Sequence, residues 1–310
     1  MNIILNNAAS AGSAKKKWNS IKDIIKNKFD DVQIIDVQQN DSIENVLKKE
    51  IKLKNNKFII AGGDGTVNNF VNSIMEVLNE DEIKNIKIGV AGIGSSNDFC
   101  KPFNQESLIK NIVCKINFES TQLRDLGVLS YKSGAQYLKK YFLLNASIGV
   151  TAEANQLFNK PDLFLKFLKK YFTGLAILYA TLKTIITYKN FDARIIFDSF
   201  ETYSFQISNL SIIKNPNISG SLSYPGDANY QNGLYDIYLT HSMNRLDLIR
   251  LLKLLSRKFF PKNNKSEYCQ TSKIKVTAKN NFLIEFDGEI ISTNYAEFKI
   301  LNKYLNVCTN

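Results

Sequence analysis

Histidine is nearly absent from this chain: His241 is the only one among 310 residues. A metal site built on two histidines is therefore excluded. A Ser-His-Asp or Cys-His hydrolase would have to use that single residue, and no Gly-x-Ser-x-Gly elbow accompanies it. His241 reads as an ordinary surface or loop residue. Cysteine is scarce too. Cys100, Cys114, Cys269 and Cys308 lie far apart with no Cys-x-x-Cys spacing, which speaks against a zinc site and a disulfide framework and fits a reducing compartment. Long apolar runs are missing. The longest, Gly174–Leu182 (GLAILYATL), is about half of the roughly 20 residues that a spanning helix needs. The start, MNIIL, is strand-like and has neither the charged nor the long apolar region of a secretory signal. These absences predict a cytoplasmic location. With only 5 prolines, no proline-rich linker separates domains, and neither repeats nor low-complexity tracts occur.

Positive charge is in excess, with a net charge of +11. Such a balance favours anionic partners, namely nucleic acid, anionic lipid or phosphorylated substrates. The alternative is compositional, because lysine and asparagine abound everywhere and the basic pairs are scattered.

The first 125 residues alternate strand and helix signals. Ile3–Leu5, Val32–Val37, Phe58–Ala61 and Ile86–Ala91 read as strands. Trp18, Ile21, Ile24, Ile25 and Phe29 recur at helical spacing, as do Val67, Phe70, Val71, Ile74, Val77 and Leu78. A further helix runs to about Lys54, with Asp41 or Ser42 as its cap. Alternation with short loops predicts a doubly wound parallel sheet. Beyond about Leu126 the pattern changes to a mostly antiparallel, β-rich region. Its expected strands are Tyr137–Ala146, Ala193–Phe197, Thr202–Leu210, Leu234–Thr240, Lys273–Ala278 and Phe282–Phe286, interrupted by a helical stretch over Pro161–Tyr188.

Two loops stand out against this frame. In FIIAGGDGTVNNF (58–70), Gly62, Gly63 and Gly65 surround Asp64 between a buried strand and a helix start. Open α/β sheets bind ligands at such strand ends, where free N–H groups and the helix dipole favour phosphate. Glycine lets the backbone approach phosphate oxygens. On this reading the glycines alone set the turn, and Asp64 is left for chemistry through Mg²⁺ or a hydroxyl. Thr66 can cap the helix or donate to an oxygen. A tight turn with no ligand is the competing reading. AGIGSSNDF (91–99) repeats the logic with Gly92, Gly94, Ser95, Ser96 and a helix start at Asn97-Asp98. Neither loop matches Walker A or the dinucleotide Gly-x-Gly-x-x-Gly pattern. Near the other end, Asp287-Gly288-Glu289 reads by itself as a hairpin turn.

Taken together in this order, Gly62-Gly63-Asp64-Gly65-Thr66, the Gly-x-Gly-x-x-Asn-Asp-Phe of Gly92–Phe99 and Asp287-Gly288-Glu289 resemble the diacylglycerol kinase catalytic-domain family, and within it the soluble bacterial lipid kinases. The first motif alone is shared with NAD kinases, phosphofructokinases and sphingosine kinases. Asn6, Arg124–Gly127 and the Pro225…Asn232-Gly233-Leu234 segment extend the resemblance over most of the chain. It implies a nucleotide-binding α/β domain over 1–125, to which 296–310 returns, and a β-rich lipid-substrate domain over 126–295, with the active site in the cleft between them. It further implies transfer of the γ-phosphoryl group of ATP, with Mg²⁺, to a lipid hydroxyl of diacylglycerol type, in phospholipid metabolism. Carried over by position, ATP would be met by Gly63, Asp64, Gly65, Thr66, Val67, Asn68, Asn69 and Ser95, with a further contact near Gln38. Glu289 would accept the hydroxyl proton, and Asp64 would share in catalysis. Asn229, Asn232 and Leu234 fall where the family binds a structural Mg²⁺.

Three departures matter. Asn69 stands where glutamate is usual, Ser95 where threonine is common, and Asn232 where the family has the metal-binding aspartate. The last predicts a metal site empty or weakly filled, a loop held instead by Asn229 and Asn232, and metal affinity restored by Asn232→Asp.

The helical stretch offers Leu163, Phe164, Phe167, Leu168, Tyr171 and Phe172 as an apolar stripe flanked by Lys166, Lys169 and Lys170, either an interfacial helix or one packed on its own sheet. The expected partners are a lipid substrate and an anionic membrane surface at the inner face, with no nucleic acid; a homodimer stays open. Two other functions compete: a soluble-metabolite kinase of the same superfamily, such as a NAD kinase, and a non-catalytic nucleotide-binding protein.

Overall fold

A computed structural model describes the chain except for residues 10–12, 38–42, 54, 199–200 and 220–221. Gln38, the cap residues Asp41 and Ser42, and the end of the first loop lie outside the described residues. The chain forms two compact units, Met1–Leu126 with Leu301–Asn310, and Gly127–Ile300.

The first unit is built by alternation. In order come β1 (Asn2–Leu5), α1 (Ser13–Lys28), β2 (Gln33–Asp36), α2 (Ile43–Lys52), β3 (Lys57–Gly62), α3 (Asp64–Val77), α4 (Glu80–Asn85) and β4 (Lys87–Gly92). The strands pair in parallel in the order β4-β3-β1-β2, as strands joined by crossover helices do. β5 (Leu108–Ile109) and β6 (Ile112–Lys115) follow, and β6 lies antiparallel on β4. α1 turns Trp18, Ile21 and Ile25 into a core shared with Ile3, Ile59 and Ala91. Ile24, expected on that face, is 42% exposed. On the far face, Phe58 of β3 meets Phe70 of α3 at 5.4 Å between ring centroids.

The second unit is mostly antiparallel. β7 (Thr121–Ser133) runs into it and pairs with β8 (Gln136–Phe142). Next come β9 (Asn145–Gly149), α5 (Val150–Asn159), α6 (Leu163–Tyr171), α7 (Thr173–Thr187), β10 (Phe191–Ile196) and β11 (Thr202–Ile213). The small pair β12 (Asn217–Ser219) and β13 (Leu222–Ser223) precedes β14 (Tyr235–His241), α8 (Arg245–Leu255), β15 (Ser266–Thr271), β16 (Lys273–Phe286) and β17 (Glu289–Cys308). β17 leaves this unit at Ile300, and its end pairs in parallel with β4 at Asn306 and Val307. The core of this unit gathers Phe142, Ile148, Ile195, Leu210, Tyr235, Val276, Phe286 and Phe298.

Three expectations change. The single strand over Tyr137–Ala146 is two, because the N–H groups of Leu143, Leu144 and Asn145 turn to the carboxylate of Asp287. The segments 273–278 and 282–286 are one strand with a register shift between Thr277 and Phe282. The helical stretch is two helices broken at Phe172. No helix among the described residues is long and apolar enough to cross a membrane.

Candidate functional site

β3 and β4 are neighbours in register, Gly62 opposite Gly92, so the two glycine loops leave the same end of the sheet side by side. They pack backbone on backbone. A Cβ on Gly94 would lie 2.3 Å from the Gly63 Cα, and one on Gly62 2.4 Å from Thr66 Cβ. The Gly94 N–H donates to Gly62 O at 3.1 Å. Gly94 is therefore required by the contact between the loops, and Gly62 by Thr66 of its own loop. Gly65 differs: it is exposed, and a Cβ there would meet nothing within 4 Å. Of the three glycines around Asp64, it alone leaves the room a ligand would use.

Asp64 joins the loops. Its Oδ2 accepts the Asp98 N–H at 3.0 Å and its Oδ1 the Phe99 N–H at 2.9 Å. The expectation that the glycines alone set this turn does not hold, since the carboxylate is half of the joint. Burial pushes the Asp64 carboxyl up, and the charge of Asp98 adds to that, against the two N–H bonds and Lys101. Asp98 is itself paired with Lys101 at 2.7 Å. Asn97, expected to begin a helix, instead takes the left-handed conformation at φ 53° and opens only a single 3₁₀ turn, Asp98–Cys100. Its Nδ2 donates to Gly92 O at 2.9 Å, closing the loop on itself.

Around this joint α3 begins at Asp64 with Gly63 as its N-cap, and no side chain caps it. Thr66 N donates to Gly63 O at 2.9 Å, which leaves the N–H groups of Asp64 and Gly65 without a partner inside the helix at the positive end of its dipole. Thr66 is buried, and its Oγ1 accepts from Asn6 Nδ2 at 3.1 Å rather than capping the helix. Val67 and Asn68 are buried as well, whereas Asn69 and Ser95 are exposed. Lys17 of α1 donates to Gly94 O at 2.6 Å, and the buried Arg124 to Phe99 O at 2.9 Å. The parts played by Lys17 and Lys101 were not legible in advance, because nothing distinguishes them from the many other lysines. Cys100, beside the joint, is pushed up to about 12 by burial and then by the Asp64 charge, so it is no nucleophile.

Within the second unit, Asp287 and Gly288 form a hairpin turn with φ 44° and 90°. The Asp287 carboxylate accepts from Leu143 N, from Leu144 N at 3.0 Å and from Asn145 N at 3.2 Å. Beneath the turn, Glu285 accepts the Gly288 N–H at 2.8 Å and the Ser147 hydroxyl at 2.9 Å. Desolvation raises its carboxyl to about 7. Glu289 follows the turn and is exposed. Its charge, after burial, raises the phenol of Tyr131.

The metal residues do not fit a divalent ion. Asn232 Oδ1 and Leu234 O both accept from Lys214 Nζ, each at 2.8 Å. Among the described residues no group of three or more His, Cys, Asp or Glu could hold an ion.

The apolar stripe of α6 does not pack on its sheet. Leu163, Phe164, Phe167, Tyr171 and Phe172 are each more than half exposed, as is Leu175 of α7. Leu165 and Leu168 alone turn inward from α6, onto Ala176 and Ala180 of α7.

Two family models match the chain, the diacylglycerol kinase catalytic domain over residues 1–129 and the YegS C-terminal NAD kinase beta sandwich-like domain over 145–309. A diacylglycerol kinase of Staphylococcus haemolyticus (strain JCSC1435) is 25% identical over 266 residues, 86% of this chain and 73% of that protein. One of Bacillus subtilis (strain 168) is 23% identical, covering 84% and 80%. A crystal structure of a diacylglycerol kinase from Bacillus anthracis str. Sterne superposes with a TM-score of 0.69 at 16% identity, over 100% of this chain and 96% of that one.

Proposed function

The chain belongs to the diacylglycerol kinase catalytic-domain family, and we propose that it transfers the γ-phosphoryl group of ATP to the hydroxyl of a diacylglycerol-like lipid. Kinase chemistry comes with the family. The lipid acceptor rests on one observation, the exposed apolar face of α6 and α7. A protein that handles only water-soluble metabolites has no use for Leu163, Phe164, Phe167, Tyr171 and Phe172 turned to solvent together. Lys166 and Lys170 lie in the same helix, and the chain is basic overall. That combination suits an anionic bilayer surface, where each basic residue adds about 1 kcal/mol.

In this reading the nucleotide site comprises Gly63, Asp64, Gly65, Thr66, Val67, Asn68, Asn69 and Ser95. The N–H groups of Asp64 and Gly65 at the start of α3 take phosphate oxygens, with Gly65 giving room and Asn69 and Ser95 offering exposed polar groups. Val67 and Asn68 contribute backbone and support, since their side chains are buried. Asp64 keeps the two loops at a fixed spacing and with them the phosphates. Mg²⁺ bound with ATP would neutralise charge on the transferring group; Asp64 and Asp98 are the carboxylates of these loops. Glu289 orients the lipid hydroxyl and accepts its proton as the oxygen bonds to the γ-phosphorus and ADP leaves.

The test is radiolabelled ATP offered with diacylglycerol in phosphatidylglycerol vesicles, with bacterial lipid extracts and with NAD. Label is expected in a lipid product, more from anionic than from neutral vesicles and less as salt rises. Label in NAD would establish the metabolite kinase instead. Binding of ATP with no labelled product from any acceptor would leave a nucleotide-binding protein.

A further inference from the structure

Lys214 follows β11 directly and is 4% exposed, so its ammonium is held by protein groups. Two of these are Asn232 Oδ1 and Leu234 O, at 2.8 Å each. These oxygens belong to positions where the resemblance placed a divalent cation. At that spacing the bonds are charge-assisted hydrogen bonds, and an ion sharing the same oxygens would stand against a buried positive charge.

We infer that the Lys214 ammonium is the permanent cation of the Asn229–Leu234 loop and does for this chain what a structural Mg²⁺ would do for a chain with aspartate at 232. The charges balance in the same way. An aspartate with Mg²⁺ carries one net positive charge, and so does an asparagine with a lysine. Lys214 thus brings beside Asn232 the positive charge that an ion would otherwise supply.

The ammonium also sits at one end of a connected support. The Lys214 N–H donates to Leu144 O at 2.9 Å and to Asn145 Oδ1 at 3.2 Å. The N–H groups of Leu144 and Asn145 in turn bind Asp287, which shapes the turn before Glu289. Lys214 is therefore a positioning residue. It holds the loop against the strand ends that carry the Asp-Gly-Glu turn, and does so at any Mg²⁺ concentration. Asn229 Oδ1 and Asn232 Oδ1 add local bonds to the N–H groups of Gln231 and Leu234, both at 3.2 Å. The expectation that Asn232→Asp alone would restore metal binding changes accordingly, because the new carboxylate would pair with Lys214.

Thermal unfolding without nucleotide tests this, since it reads the site independently of kinase activity or acceptor. The wild-type melting temperature is expected to be the same in EDTA as in about 10 mM MgCl₂. Lys214→Met should lower it by roughly 5 °C in both, leaving two part-buried oxygens without their donor. The double change Lys214→Ala with Asn232→Asp should make it rise by a few degrees on adding about 10 mM MgCl₂. Asn232→Asp alone should not respond to Mg²⁺. A wild-type melting temperature that climbs with Mg²⁺ would overturn the inference, and this arm needs no variant to fold. So would a Lys214→Met protein as stable as wild type, or a folded double variant indifferent to Mg²⁺.

Discussion

Asp64 and Asp287 lie in different units, yet they are used alike. Each sits in a glycine turn, and each spends its carboxylate on backbone N–H groups of another segment: Asp98 and Phe99 for the first, Leu143 to Asn145 for the second. Each is followed closely by an exposed residue, Gly65 in one case and Glu289 in the other. The difference lies in what surrounds them. The Asp64 turn is pressed against a second backbone at Gly63, whereas a Cβ on Gly288 would meet nothing within 4 Å and its glycine answers to φ 90° alone. In both, the aspartate clamps, and a residue beside it stays exposed.

Replacing an exposed neighbour should separate function from fold most sharply. Glu289→Gln is expected to cost roughly 10³-fold in turnover, with the melting temperature and ATP affinity unchanged. Turnover near wild type in the labelled-ATP assay would remove Glu289 from the reaction. Next in size is the contrast between two glycines. Gly94→Ala drives a Cβ into the Gly63 backbone and should destabilise by roughly 3 kcal/mol in urea unfolding. Gly65→Ala, early in α3, should leave stability equal or slightly better while weakening ATP binding. Equal effects of the two would dissolve the distinction between packing and ligand glycines.

The clamps come third. In Asp64→Asn or Asp287→Asn, one carboxylate oxygen becomes an NH₂ facing a backbone N–H. Each should lose about 2 kcal/mol, with Asp287, which has more N–H partners, losing no less than Asp64. Chemical denaturation that finds Asp64→Asn as stable as wild type would return that turn to its glycines. The smallest effect belongs to Glu285. Its carboxyl titrates at about 7 in the fold against an ordinary 4.5, so between these values the folded state holds the extra proton. Stability therefore falls as pH rises through that window. Glu285→Gln can still accept from Gly288 and donate to Ser147, and it removes this fall. The drop in melting temperature from pH 5 to pH 8 should be smaller in the variant.

How much of this was legible in advance depends on the range of the interaction. The alternation over β1 to β4, with Trp18, Ile21 and Ile25 facing inward, was legible because burial repeats with the helix period within one element. The antiparallel character of the second unit was visible for the same reason. The break between β8 and β9 was not, since it answers to Asp287, far along the chain. Asn232 stood out as a departure, but Lys214 could not be singled out from the other lysines until the fold brought its ammonium onto Leu234 O. Gly63 and Gly94 were noticed as glycines, and their reason lay in each other's loop.

β17 has a consequence for how the protein is made. Its last part lies on β4 at Lys87 and Ile88, and Thr309 N–H bonds to Ser120 O at 2.9 Å. All of Gly127–Ile300 is translated between Ser120 and that strand. At ribosomal rates of 5–20 residues per second this is about 10–35 s. Throughout that interval the sheet carrying both glycine loops stands with part of its β4 edge unclaimed, a place where another nascent strand could dock. The first unit to emerge is thus the last to be finished, and a chaperone that shields β4 would act on it well before the second unit has closed.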